Sequence, residues 1–163
     1  MNSIENLLKE YNPISRIESK NAIQEIMQEF ALLGLWRAKF FEHAAFYGGT
    51  SLRILYGLDR FSEDLEFSLL KPNPAFELKP FLRSIEEELL ISGLKPTVNL
   101  KVKKPKDSIQ SAFLKVGTLE TFIQVGLDES LQRQTQSNEV IKIKLEVDIN
   151  PPSGFSTEVK YLT

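Results

Sequence analysis

Apolar residues recur every three or four positions along the first 43 residues, which is the spacing of one face of an α-helix. This spacing predicts a short helix that ends before Asn12 and Pro13. It also predicts a longer helix over roughly residues 19–33, which Gly34 ends or kinks. The aromatic segment 36–41 is predicted to be a third helical piece. We interpret the apolar faces of these helices as core.

Apolar and polar residues alternate in two later segments, 64–69 and 140–149, which predicts half-buried β-strands. In the second segment five apolar side chains face one way, and polar side chains, including Glu146 and Asp148, face the other. An apolar face of this length is typical of a strand in the middle of a core. We expect the two strands to lie as near neighbours in one sheet.

Shorter apolar segments predict the remaining elements, and Gly57 and Gly93 are typical helix ends. The sequence Lys103-Lys104-Pro105-Lys106 is a basic loop, which we interpret as a solvated turn or, alternatively, as a contact to nucleic-acid phosphate. The predicted elements are helices at 52–56 and 74–91, strands at 44–47, 98–102, 112–116, 122–127 and 155–162, and a polar segment at 128–138 that forms a loop or, alternatively, a loop with a helical turn.

The stretch 47–70, YGGTSLRILYGLDRFSEDLEFSLL, carries the candidate chemistry. Gly48 and Gly49 let the backbone turn sharply and approach a ligand without a Cβ in the way. Thr50 or Ser51 is then expected to start a helix, where a hydroxyl can cap free backbone N–H groups. A helix start beside glycines suits a phosphate group. A Gly-Gly pair alone, however, is more often a plain turn.

Asp64 and Glu66 share one face of the predicted strand, so their backbones are roughly 6.5–7 Å apart. Two carboxylates at that spacing can converge on one or two hard cations. Mg²⁺ usually takes one or two carboxylates together with substrate phosphates. The alternative is a solvated strand face, but the order and close spacing of the glycines and the acids favour a phosphate and metal site.

Composition narrows the classes of protein. A chain of 163 residues with 42% hydrophobic and 26% charged residues is expected to form one globular domain, 1–163. A formal net charge of −2 does not indicate general nucleic-acid binding. The absence of cysteine excludes disulfides and thiol catalysis. No apolar run approaches a membrane span, and we expect a cytoplasmic protein with no membrane partner.

The glycine pair followed by Asp64-x-Glu66 resembles the Gly-Gly/Ser and Asp-x-Asp/Glu motif of the DNA polymerase β-like nucleotidyltransferase superfamily. It is similar to the AbiEii/AbiGii toxin branch, whose members carry a phrase much like GGTSL…RFSEDLEF. The resemblance is strong over 46–67 and weaker through residue 151. It implies an α+β fold with a polymerase β-like core, in which helices pack on a mixed, mostly antiparallel sheet. It also implies magnesium-dependent chemistry and a toxin–antitoxin or abortive-infection setting.

The resemblance implies roles for particular residues. A third carboxylate is expected from a later strand, where Asp148 is the favoured match and Glu146 the competitor. Together with Asp64 and Glu66 it would hold two Mg²⁺ ions. The expected nucleotide-binding residues are Gly48, Gly49, Thr50, Ser51, Arg60 and Ser62. Alternatively, Ser62 orients the loop and Arg60 pairs with the acids.

One residue departs from the branch. Glu66 stands where the branch usually has Asp, so the geometry of the metal site is expected to differ, and Mn²⁺ is the alternative cofactor because it tolerates misplacement better. The resemblance implies full-length relatives that continue into a helical half, so we expect this sequence to be either a fragment or a natural short form. We divide the chain into N-terminal helices, 1–43, and a catalytic core, 44–163.

We therefore predict a nucleotidyltransferase toxin that transfers a nucleoside monophosphate from a nucleoside triphosphate (NTP) to a hydroxyl of RNA, such as tRNA, or of a protein. A cognate antitoxin is the further expected partner. The alternative is a catalytically impaired nucleotide-binding or protein-interaction module of the same fold.

Overall fold

Five strands form one sheet in the computed structural model, which describes residues 3–101, 104 and 107–162. The strand order is β1-β2-β5-β4-β3. The β2–β5 pair is parallel and every other pair is antiparallel, which confirms the expected mixed, mostly antiparallel sheet. The strands are β1 (Ala44–Tyr47), β2 (Leu65–Leu69), β3 (Thr97–Leu100), β4 (Ile109–Gly117) and β5 (Val140–Asp148).

The helices provide the second layer. Apolar side chains of α1, α2 and α4 form one core with the apolar face of β2 and β5, and Phe40 and Phe67 are fully buried in it with their rings 5.0 Å apart. No described helix combines the length and the apolar character that a membrane span needs. The helices are α1 (Ser3–Tyr11), α2 (Arg16–Arg37), α3 (Gly48–Tyr56), α4 (Lys79–Ile91), α5 (Thr118–Gln124) and α6 (Glu129–Arg133), with a 3-10 turn at Phe40–Glu42.

The opposite face of the sheet is polar and only partly buried. Because side chains alternate along a strand, the burial of Leu65, Phe67 and Leu69 turns Glu66 and Ser68 toward this open face. The same alternation in β5 exposes Lys142 and leaves Lys144, Glu146 and Asp148 half-buried on the open face. The two segments predicted to be neighbouring strands are therefore direct neighbours, as expected.

Gly34 does not end the second helix, which corrects the sequence prediction. Helix α2 continues to Arg37 and so includes the first two residues of the predicted third piece, 36–41, whose last two residues belong to a separate turn at Phe40–Glu42. A Cβ built on Gly34 would lie 2.6 Å from the carbonyl oxygen of Ser84 in α4. Glycine at this position lets the backbones of α2 and α4 touch, so its role is close packing of two helices.

Two predicted strands are wrong. Residues 122–124 are the last residues of α5 and residues 125–127 follow its end, and Phe122 is buried while its neighbour Ile123 is 57% exposed, as happens on a helix. Residues 155–162 form no regular element, and Val159 is 83% exposed. This segment runs past the end of α3, where the Lys160 ammonium lies 4.2 Å from the ring centroid of Tyr56.

Other boundaries shift by a few residues. The helix predicted over 74–91 begins at Lys79, and the strand predicted to start near Val98 starts at Thr97. Val102, Lys103, Pro105 and Lys106 lie outside the described residues, so most of the predicted basic loop does too.

Candidate functional site

Two acids face each other on neighbouring strands of the open face. The register pairs Glu66 of β2 with Glu146 of β5, and Ser68 with Asp148. Asp64 directly precedes β2 and is exposed. Asp148 is therefore displaced from Asp64 by four residues along the strands, which is about 13 Å. Glu146, the competitor for the third acid, lies beside the Asp64–Glu66 pair, and Asp148 lies one step farther along.

The glycine pair meets these acids directly. Gly48 has a φ of +85°, and a Cβ built on it would lie 1.9 Å from Glu66 Oε2. A Cβ on Gly49 would lie 3.0 Å from Ser62 Oγ. Only glycine leaves room at position 48 for the Glu66 carboxylate. The structure thus brings Gly48, Gly49, Ser62 and Glu66 together, as the close spacing in the sequence suggested.

The start of α3 differs from the expectation. The helix begins at Gly48 with Tyr47 as its N-cap, and no side chain caps it. Thr50 and Ser51 are buried, and their hydroxyls donate to the carbonyl oxygens of Asp64 and Phe46. The expected hydroxyl cap is therefore not formed, because both hydroxyls hold the backbone around the turn at Gly48 and Gly49, which we call the glycine turn.

The loop before β2 is held from two helices. The Gln28 amide of α2 donates to the carbonyl oxygens of Ser62, at 2.7 Å, and Glu63, at 3.0 Å. Arg53 of α3 forms an ion pair with Glu25, and its guanidinium lies 3.9 Å from the ring centroid of Phe61. Arg60, in the same loop, is exposed. These contacts define the position of the segment that delivers Asp64.

A lysine joins the acids on the open face. Lys144 Nζ lies 2.8 Å from Glu146 Oε1, and the two side chains are 33% and 27% exposed. The hydrogen bond to Glu146 raises the pKa of Lys144, and the charge of Asp64 adds to this effect. Lys144 therefore offsets part of the negative charge beside Glu66. The sequence showed Lys144 only as a member of a polar strand face.

Glu66 is the acid of this group whose charged form is disfavoured. Burial raises the pKa of Glu66 above its usual range, and the neighbouring charges of Glu146 and Asp64 raise it further. The pKa of Tyr47 is raised by burial and by the charges of Glu66, Asp148 and Glu146. A carboxylate with a raised pKa is destabilised in its charged form. A bound cation would relieve this repulsion.

The raised pKa of Glu66 predicts a dependence of stability on pH. Because the pKa is higher in the folded than in the unfolded protein, deprotonation of Glu66 destabilises the fold as pH rises through the folded pKa. In EDTA, Glu66→Gln is expected to raise Tm by a few degrees at pH 7.5, and this gain should shrink as pH falls through the folded pKa of Glu66 and be lost near the ordinary carboxyl pKa of about 4.3. Thermal unfolding between pH 4 and 8 measures this difference, with Glu63→Gln as the control. An equal gain at every pH would contradict the prediction.

The donor set suits a hard cation that also binds substrate. Asp64, Glu66 and Glu146 supply carboxylate oxygens, the ligand type that Mg²⁺ prefers. Among residues 3–101, 104 and 107–162, no group of three His, Asp or Glu side chains is arranged to hold a metal ion by itself. The residues fit a cation bound by one or two carboxylates together with phosphate oxygens.

A cleft of about 320 Å³ extends from Glu146 and Lys144 across β4. Lys101, Ser111, Lys144 and Glu146 contribute to its lining. Farther along the same face, Lys142 Nζ lies 5.0 Å from the ring centroid of Phe113. Among the three acids, Glu146 is therefore the one that borders the cleft.

Comparison with known proteins identifies the family. A family model described as the nucleotidyl transferase AbiEii toxin of a type IV toxin–antitoxin system matches residues 31–163. No curated protein sequence matches. Two solved structures from Helicobacter pylori are similar. JHP933 is 20% identical, with 87% of this chain and 49% of that chain covered and a TM-score of 0.49.

The second structure, a candidate nucleotidyltransferase, is 21% identical, with 77% of this chain and 44% of that chain covered and a TM-score of 0.45. The chain thus spans about half the length of the solved structures that it matches. The family model, in contrast, covers most of this chain, including the glycine turn, the acids of β2 and all of β5. The chain belongs to the AbiEii family of nucleotidyltransferase toxins of type IV toxin–antitoxin systems.

Proposed function

We propose that this chain transfers a nucleoside monophosphate from an NTP to a hydroxyl of RNA, such as a tRNA, or of a protein. Membership of the family supports nucleotidyl transfer. The observation that carries the proposal is the contact of Glu66 with the glycine turn, since it places a carboxylate where a triphosphate at Gly48 and Gly49 would need a cation. A cognate antitoxin is the proposed regulatory partner.

The roles follow from the positions of the residues. The backbone at Gly48 and Gly49 would bind the triphosphate, and the Ser62 hydroxyl beside Gly49 would contact it. Asp64 and Glu66 would hold Mg²⁺ or Mn²⁺. The bound cation would supply charge neutralisation and a lower pKa for the attacking hydroxyl. The acceptor oxygen would form a bond to the α-phosphorus, the bond to pyrophosphate would break, and the hydroxyl proton would pass to solvent.

We propose Glu146 as the nearer third acid. The register places Glu146 beside Glu66, whereas Asp148 pairs with Ser68 and accepts a hydrogen bond from the Asn150 N–H at 2.9 Å. Both acids lie on the open face, so each can be tested by an isosteric amide. The assignment of Asp148, which the sequence resemblance favours, stays a prediction that the same experiment tests.

Glu146→Gln is expected to lower NTP turnover by about 10- to 100-fold, and Asp148→Asn by less than about threefold, because metal affinity depends on carboxylates close to the ion. Turnover is measured as pyrophosphate release at several Mg²⁺ concentrations, with Tm as the check on folding. Lys144→Met, which removes only the partner of Glu146, is the control for loss of the ion pair. A larger loss in Asp148→Asn than in Glu146→Gln would assign the third acid to Asp148.

The central experiment is incubation of the protein with each α-labelled NTP, total RNA or total protein, and Mg²⁺ or Mn²⁺. We expect label from one NTP in one acceptor fraction, and no label in EDTA. Transfer to the RNA fraction or to the protein fraction identifies the acceptor class. Absence of label in both fractions with all four NTPs and both metals would contradict the proposed function.

The ion pair between Lys144 and Glu146 favours a second candidate, a nucleotide-binding module with impaired turnover, because it neutralises one of the acids. Both candidates predict that NTP with Mg²⁺ raises Tm. Only the enzyme consumes the NTP. A thermal shift without pyrophosphate release would therefore favour the binding module.

A further inference from the structure

We infer that Gln28 is a positioning residue for the proposed reaction. Its side chain holds the backbone of residues 62–64, so that the acid pair Asp64 and Glu66 stays in place relative to the glycine turn. This inference rests on the proposed function. Gln28 lies in the middle of α2, its side chain is fully buried, and it precedes the residues that the family model matches.

The contacts of Gln28 are directed at one segment. Its Nε2 donates to the carbonyl oxygens of Ser62 and Glu63, at 2.7 and 3.0 Å. The Thr50 hydroxyl, from α3, donates to the next carbonyl oxygen, that of Asp64. Three successive carbonyl groups are thus held by side chains from two different helices. Fixed carbonyls fix the peptide planes, and with them the directions in which the Ser62 and Asp64 side chains leave the backbone.

The contacts of Gln28 leave its second polar atom, the amide oxygen, without a partner among the described residues. Gln28 Oε1 is buried and, within the described part of the chain, has no hydrogen-bond partner. A buried acceptor without a partner destabilises a fold. Both hydrogen-bond partners of Gln28 are carbonyl oxygens, which accept hydrogen bonds. Only the NH₂ group of Gln28 can donate to them, so its Oε1 remains without a partner in these contacts. An apolar side chain of similar size would avoid this penalty but would release the loop.

Gln110 provides the matched comparison. It is also a buried glutamine that holds a loop, since its Nε2 donates to the Phe76 carbonyl oxygen at 2.5 Å and its Oε1 accepts from the Leu78 N–H at 2.9 Å. Both of its polar atoms have partners. Its position in β4, opposite Val147, turns it toward the helix-covered face, away from the acids. Gln110 therefore shows what the same side chain does when its role is structural.

The test compares Gln28→Met with Gln110→Met, because methionine has nearly the shape of glutamine without its hydrogen bonds. Amide hydrogen exchange of residues 61–66 is measured on the metal-free chain, Mn²⁺ affinity is measured with a non-hydrolysable NTP analogue present, and turnover is measured with saturating NTP. Gln28→Met is expected to accelerate exchange in that segment and to weaken Mn²⁺ binding about 10- to 100-fold, as loss of an outer-shell partner does. Tm should change little.

The split between kinetic parameters gives a further readout. Gln28→Met should raise the metal concentration for half-maximal turnover by the same factor, with kcat at saturating metal changed less than about threefold, because saturating metal re-orders the loop. Gln110→Met should leave exchange at 61–66 and Mn²⁺ affinity at the wild-type values. Thr50→Val, which removes the third contact from the other helix, should act in the same direction as Gln28→Met.

The outcomes separate this inference from the proposed function. If the wild-type chain transfers no nucleotide, the proposed function fails, and exchange and Mn²⁺ affinity still decide the role of Gln28. Unchanged exchange at 61–66 and unchanged Mn²⁺ affinity in Gln28→Met would overturn the inference. Equal effects in Gln28→Met and Gln110→Met would also overturn it, because they would show a general loss of packing.

Discussion

Asp64→Asn is expected to lower NTP turnover by more than about 100-fold, because it removes one of the two charges proposed to hold the cation at the reacting phosphate. The fold should survive the change. Asp64 is exposed, and the Thr50 hydroxyl donates to its backbone carbonyl oxygen, which the substitution does not change. Loss of the charge also relieves repulsion on Glu66. Pyrophosphate release and urea unfolding measure the two effects.

Glu63→Gln is the matched control, since Glu63 is an exposed acid next in sequence to Asp64. It should leave turnover within about threefold of the wild type, because surface substitutions away from a site have small effects. Wild-type turnover in Asp64→Asn would exclude the proposed role of the acid pair. Unfolding of Asp64→Asn would instead make Asp64 a structural residue.

Gly48→Ala should be the other severe substitution. A residue with a side chain at a φ of +85° is strained by about 1–2 kcal/mol. In addition, the new Cβ would lie 1.9 Å from Glu66 Oε2 and 2.9 Å from the carboxyl carbon, so the Glu66 carboxylate must move. We expect a loss of about 1–2 kcal/mol in stability and a fall in turnover of about 100-fold.

Gly57→Ala separates strain from displacement. Gly57 has a φ of +74°, and a Cβ on it would meet nothing within 4 Å, so this variant carries the same backbone strain but leaves Glu66 in place. It should lose a similar amount of stability and keep its turnover. Equal turnover in the two variants would show that the position of Glu66 does not matter for the reaction.

The local spacing of apolar residues predicted those helices and strands in which apolar and polar positions follow one clear period. Strand β5 was predictable because five apolar residues alternate with polar ones, and few structures other than a half-buried strand satisfy that pattern. The structure of segment 122–127 was not predictable, because its adjacent apolar residues are compatible with either a strand or a helix. The buried set there, Thr118, Thr121, Phe122 and Val125, follows helical spacing only when the two threonines are counted as buried.

The identity of the third acid could not be predicted, for a geometric reason. Glu146 and Asp148 are two residues apart in β5, so both face the same side of the sheet. Alternation therefore cannot distinguish them. The choice depends on the register between β2 and β5, which long-range packing determines.

Two other features were hidden because they depend on contacts between distant residues. Gly34 suggests a helix end in the sequence, but the approach of α4 explains it. Gln28 lies among apolar residues of α2, and only the position of the Ser62–Glu63 backbone shows why an amide is there. A polar residue at helical spacing from buried Ala31, Leu32 and Leu35 was the one signal available.

The strand order has a consequence for how the chain folds during its synthesis. The last strand of the sheet to leave the ribosome, β5, lies in its centre, and Leu65 of β2 pairs with Leu145, 80 residues later. At 5–20 residues per second, roughly 4–16 s of synthesis separate the two partners. Until β5 arrives, β1–β2 and β3–β4 have no strand between them to join them. A nascent chain therefore carries the glycine turn and Asp64 without Glu146, and the proposed site can form only after translation has passed β5.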